Sequence, residues 1–148
     1  MSLLSRLILL GALLTILVGS YWLFENRKEQ KRSVQLRYES FLQKSHSETQ
    51  ATIAQLLALL DAKEISENEL LLLFELCLES PKHSIHTLMP AWATMRSDQS
   101  LRVDRQIIEE CIRYREGDIA GSQKKLEQLF KDNPASRRAN YEFQKVMF

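Results

Sequence analysis

Hydrophobic residues run without interruption through the first part of this chain, then thin out, then recur every three or four positions. The opening run, LILLGALLTILVGSYWLF at Leu7–Phe24, carries no charge across 18 residues. At 1.5 Å per residue it makes about 27 Å of helix, close to the hydrocarbon thickness of a bilayer. Leu7, Leu10, Leu14 and Leu17 supply its apolar body, and Tyr21, Trp22 and Phe24 cluster at its end, where amphipathic rings favour the headgroup level. Arg27, Lys28, Lys31 and Arg32 follow at once and would stop insertion. A cleaved signal peptide is the competing reading, since Val18 and Ser20 are small enough for the −3 and −1 positions of a processing site. The apolar character that continues through Trp22–Phe24, and the lack of an A-x-A site, favour a retained anchor.

Beyond the span the rhythm is helical. No Gly or Pro falls between Glu25 and Lys44, and Val34, Tyr38, Phe41 and Leu42 recur at three and four, which predicts that the anchor helix runs on into a basic juxtamembrane segment. SETQATIAQLLALLDA predicts a second helix with a Ser47/Gln50 capping box and one face of Ile53, Leu56, Leu57 and Leu60. ISENELLLLFELCLESP predicts a third, capped by Ser66 and Glu69 and ended by Pro81. Its residues 70–78 are apolar apart from Glu75, so it should lie at the centre of the core, too short and interrupted to cross a bilayer. Pro90 kinks a helix or starts one. Asp98 is placed to cap QSLRVDRQIIEECIRYRE, whose stripe is Leu101, Val103, Ile107, Ile108, Cys111, Ile112 and Tyr114. Gly117 then supplies a left-handed stop and Asp118 a cap. Ile119, Ser122, Leu126, Leu129 and Phe130 carry the next helix to Pro134, and ASRRANYEFQKVMF offers a last amphipathic piece. The expected organisation is an anchor at 1–24, a basic helix at 25–46 and a helical-hairpin domain at 47–148, all-α throughout.

Composition supports that class: with Gly 4 and Pro 3 in 148 residues, turn signals are too few for an all-β chain. The formal net charge of +1 hides a pattern. Residues 1–45 hold seven Lys/Arg against three Asp/Glu, residues 46–82 two against seven, and residues 83–148 eleven against nine. No stretch is basic enough to point to nucleic acid. The excess after the span lies where an anionic lipid surface attracts it. Arg6, with the α-amine if it is unmodified, precedes the span and Arg27, Lys28, Lys31 and Arg32 follow it, with Arg37 a little further on, so the positive-inside rule places the C-terminal domain on the cytoplasmic side. Cys77 and Cys111 fall within apolar helical patterns and read as buried reduced thiols, or as a disulfide if the domain faces an oxidising space.

REGDIAGSQKKLEQLFKDNP, residues 115–134, resembles the second half of a tetratricopeptide repeat, a helix–turn–helix unit of 34 residues. The matching features are the Gly117–Asp118 turn, the small Ser122 where the second helix would cross the first, Leu126 and Leu129 at packing positions, and Pro134 closing the unit. The first helix lacks the family's Trp and Leu–Gly pair, and the likeness spans roughly residues 101–148. It implies a small stack of antiparallel helices that binds a peptide or helix in a concave groove. Arg102, Arg105, Arg113, Arg137 and Arg138, with Tyr141, are the candidate groove residues, set against the reading that interleaved acids make them an ordinary charged face.

Catalytic signals are weak. His83-x-x-His86 with Cys77 and Cys111 is a thin metal set, no P-loop, dinucleotide fingerprint or nucleophile elbow occurs, and Glu109–Glu110 and Glu75/Glu79 read as solvated carboxylates. The expectation is a non-enzyme: no cofactor, no metal, no nucleic acid and no small-molecule substrate, with the bilayer and subunits of a membrane complex as partners. A membrane-anchored adaptor or assembly subunit is the first reading, similar in organisation to bacterial inner-membrane repeat proteins, which is the arrangement preferred, or to the mitochondrial outer-membrane import receptor with an anchor and one small repeat domain. An envelope factor for secretion or cytochrome maturation, with its domain in the periplasm, and a structural accessory subunit are the alternatives.

Overall fold

The computed structural model describes residues 2–80, 84–95 and 99–139. It is 85% helix, without a strand among the described residues. Among the described residues six α-helices follow one another: α1 Leu3–Lys44, α2 Thr49–Asp61, α3 Glu67–Glu79, α4 Met89–Thr94, α5 Arg102–Arg115 and α6 Ile119–Asp132. Short 3-10 turns occupy Ile85–Leu88, Gln99–Leu101 and Arg137–Ala139. The chain divides into two compact units, Met1–Ser40 and Phe41–Phe148.

From Leu3 on, the first unit is helix alone. α1 continues past the apolar run for 42 residues in all, as the absence of Gly and Pro after Phe24 predicts. It is long and apolar enough to cross a membrane, and none of its most apolar 18-residue window is buried within the protein. A core helix of a water-soluble domain of this hydrophobicity would be covered by neighbours.

In the second unit two hairpins share one device. α2 ends with the N–H of Lys63 donating to Leu60 O (3.0 Å) and that of Glu64 to Leu59 O (3.0 Å), and Lys63 takes the left-handed conformation at φ 57°. α5 ends alike: Gly117 N–H donates to Tyr114 O (3.2 Å), Asp118 N–H to Arg113 O (3.1 Å), and Gly117 has φ 109°. Both are Schellman stops, which satisfy the last carbonyls of a helix and reverse the chain. α2 then packs on α3, α5 on α6, and α3 on α5. Because of that arrangement α3 is enclosed: every residue from Glu69 to Leu78 is buried. Ile53 and Leu56 from α2, Leu70–Phe74 from α3, Ile107 and Ile108 from α5 and Leu126 from α6 complete the core, each at 1% exposure or less. Each such side chain contributes about 1.5–3 kcal/mol relative to an exposed one.

Helix starts follow the sequence unevenly. Ser66 and Glu69 form the expected capping box, Ser66 Oγ accepting from Glu69 N and Glu69 Oε1 from Ser66 N. Ser47 does not cap α2. Glu48 occupies that position without a side-chain bond, because Ser47 still belongs to the turn in which its own N–H donates to Lys44 O. Pro90 stands in the first turn of α4, starting rather than kinking it. Asp118 is the residue before α6 but makes no side-chain cap bond, and Ile119, the first of the positions that carry that helix, is 52% exposed. Asp98 and the segment from Asn140 on lie outside the described residues.

Candidate functional site

α3 carries a buried carboxylate among core residues. Glu75 is buried between Phe74 and Leu76 at 6% exposure, within a run from Leu70 to Leu78 that is otherwise apolar. A carboxylate there is costly unless cations and donors surround it. They arrive from 62 residues further along, in the 3-10 turn after α6. Arg137 donates through Nη1 to Glu75 Oε1 (3.0 Å) and through Nη2 to Oε2 (2.7 Å). Arg138, 2% exposed, donates through Nε to Glu75 Oε2 (3.1 Å) and through Nη1 to Asp104 Oδ1 (3.0 Å). Ser136 Oγ completes the cluster on Asp104 Oδ1 (3.2 Å). Two guanidinium groups and two carboxylates therefore clamp the strap after α6 to α3 and α5, and Nη2 of Arg138 is buried without a hydrogen-bond partner among the described residues.

A second polar seam joins α4 to α5. Trp92 packs edge-on against Phe74 with ring centroids 4.7 Å apart and donates through Nε1 to Glu109 Oε1 (3.1 Å). Arg105 lies over the indole at 4.6 Å and donates to Trp92 O (2.9 Å) and Met95 O (3.4 Å), with Glu109 beside its Nε (3.5 Å). On the α5–α6 side, Glu110 accepts from Arg113 (2.8 Å) and faces Lys125 at 3.7 Å.

The structure therefore does not gather the proposed groove residues into one open surface. Arg105, Arg113, Arg137 and Arg138 are distributed over three sets of acids within the same unit, Arg102 is exposed, and Tyr141 lies outside the described residues. Nor are Glu75 and Glu110 solvated carboxylates: their side chains are 7% and 10% exposed. The signal missed was Glu75 itself. One acid among nine core residues demands a cation from elsewhere, and the Arg137–Arg138 pair was the obvious donor.

A shallow cleft of about 280 Å³ opens between the end of α3 and the end of α5, lined by Cys77, Ser80, Ser84, His86, Arg115 and Glu116. Burial pushes the Cys77 thiol up to about 11 and, with Glu75 nearby, the Cys111 thiol up to about 12. Both thiols are free and buried, and their upward shift disfavours the thiolate that a nucleophile needs. Among the described residues no three His, Cys, Asp or Glu side chains are grouped as a metal site, and His83 lies outside them.

In the first unit the anchor candidates all face outward: Leu7, Leu10, Leu14, Leu17, Tyr21, Trp22 and Phe24 are between 55% and 68% exposed. Arg27, Lys28, Lys31 and Arg32 are exposed as well. Compared with family models, curated proteins and solved structures, the chain matches none.

Proposed function

We propose that this chain is a single-pass membrane protein whose helical-hairpin domain binds other proteins, as an adaptor or assembly subunit without catalytic activity of its own. The observation that carries the reading is the 18-residue apolar window of α1 with no part buried. A surface of that size on a soluble monomer is far above the few hundred Å² that such proteins expose, and lipid is the cover its length fits.

The tetratricopeptide-like part of the reading rests on the two Schellman-ended hairpins, on Ser122 at 0% exposure in the α5–α6 contact and on Pro134 just after α6. Hairpins of this kind bury their apolar faces by stacking on neighbours, and a short stack leaves an end and a curved face for a partner. The cytoplasmic side is favoured by the Lys/Arg count after the span and by two free thiols. Tethering then raises the effective concentration of the domain toward membrane partners.

The test is purification of the full-length chain in mild detergent with identification of what co-elutes. The reading predicts a stoichiometric membrane partner, and a lone monomer counts against it. Because Cys77 and Cys111 are buried, orientation is better read from a cysteine introduced at the exposed Lys131. An impermeant thiol reagent should modify it only after lysis.

A further inference from the structure

Four cations follow the aromatic end of the span at positions 27, 28, 31 and 32, all exposed. At 100° per residue Arg27, Lys31, Lys28 and Arg32 fall at about 0°, 40°, 100° and 140° around the helix axis, so they share one face. Glu29 falls at about 200° and Gln30 at about 300°, away from that face, while Glu25 lies at its edge. The contact of Lys28 with an acid is weak: its Nζ is 3.9 Å from Glu25, with both side chains well exposed at 69% and 42%.

Height matters as much as angle. α1 is unbroken here, so Arg27 and Lys28 stand about 5 Å beyond Phe24 and Lys31 and Arg32 about 11 Å, on a scale of 1.5 Å per residue. The headgroup layer is roughly 5–7 Å deep on each side of the hydrocarbon. The first two cations are therefore level with lipid phosphates, and the second two reach them by leaning back along the helix, as long basic side chains do. Lys28 already does so: its Nζ sits 5.8 Å from the centroid of the Phe24 ring.

We propose that this one-sided arc is a binding surface for anionic lipid headgroups, so that α1 selects the lipids around it as well as crossing them. The inference rests on the reading that α1 stays in the bilayer. Charge complementarity favours lipid over a protein partner, since the arc is continuous with the apolar span and carries no apolar anchor of its own.

Trp22, two residues before Phe24, is a built-in reporter, and Trp92 at 7% exposure in the other unit gives a constant background. The full-length chain is reconstituted in vesicles of phosphatidylcholine and phosphatidylglycerol in which one lipid or the other carries brominated acyl chains. At low salt, brominated phosphatidylglycerol should quench Trp22 as if enriched about fivefold around the helix, the ratio that one cation's attraction to an anionic surface supplies. That ratio should fall toward one at about 0.5 M salt, and in the variant Arg27→Gln, Lys28→Gln, Lys31→Gln, Arg32→Gln. Equal quenching by both lipids in the wild type, or undiminished preference in the variant, overturns the proposal. If neither lipid quenches Trp22, the membrane anchor itself is wrong and the lipid surface falls with it.

Discussion

Replacing Arg138 by Met removes the cation that Glu75 and Asp104 share while keeping most of the aliphatic stem. Two charge-assisted bonds disappear, at 3.1 and 3.0 Å, from a side chain that is 3% exposed. Bonds to charged groups are worth about 1.5–3 kcal/mol each, and breaking a buried ion pair from one side costs about 3–5 kcal/mol. Two features hold the loss toward the low end: Glu75 keeps both contacts to Arg137, and Asp104, 17% exposed, keeps Ser136. The expected loss is about 3 kcal/mol. Urea unfolding of the full-length chain in mild detergent, followed by Trp92 fluorescence in a Trp22→Phe background, measures it. Adding Glu75→Gln to Arg138→Met should cost less than the two singles together by about 1 kcal/mol or more, since the two side chains share one network. A loss under about 0.5 kcal/mol for Arg138→Met, the range of an unimportant surface change, refutes the clamp.

Three further outcomes follow from the geometry. Gly117→Ala should destabilise by about 1–2 kcal/mol, because φ 109° is strained for any residue with a Cβ. Gly121→Ala should be neutral or stabilising by up to about 1 kcal/mol, since the Cβ would meet only the exposed, movable Asp118 carboxylate at 2.8 Å; thermal unfolding compares the pair. Lys63→Gly should stabilise by about 0.5–1 kcal/mol, the relief of a left-handed lysine less the entropy glycine adds to the unfolded chain. The thiols fix a pH dependence. Unfolded, they ionise near 9.0, and folded only near 11 (Cys77) and 12 (Cys111), so the unfolded state releases its protons first. Their contribution is intact below pH 9 and is lost as pH rises through 11 to 12, which an unfolding series against a Cys77→Ser, Cys111→Ser variant resolves.

How much of this was legible in the sequence depended on how local the signal was. The length of α1, the Ser66–Glu69 box, Pro90 at a helix start and the Gly117 stop each follow from residues within one turn of the event. The left-handed lysine at 63 was not legible, because lysine carries no turn signature and packing of α2 on α3 imposes the conformation. The buried role of the Arg137–Arg138 pair is not written locally, because its acid partners stand 62 and 34 residues away. Local charge alternation says nothing about that distance. Ile119 misled in the opposite sense, since an apolar residue in the first turn of α6 can face water at little cost.

The anchor, the tethered domain and the lipid-binding arc all require α1 to remain in lipid with its apolar residues intact. Alkaline extraction of membranes carrying the full chain, with the intact mass taken from each fraction, is the most direct measurement. The account predicts the chain in the pellet at a mass that still includes Leu7–Phe24. Chain released into the soluble fraction, or shortened by cleavage after Ser20, would contradict it.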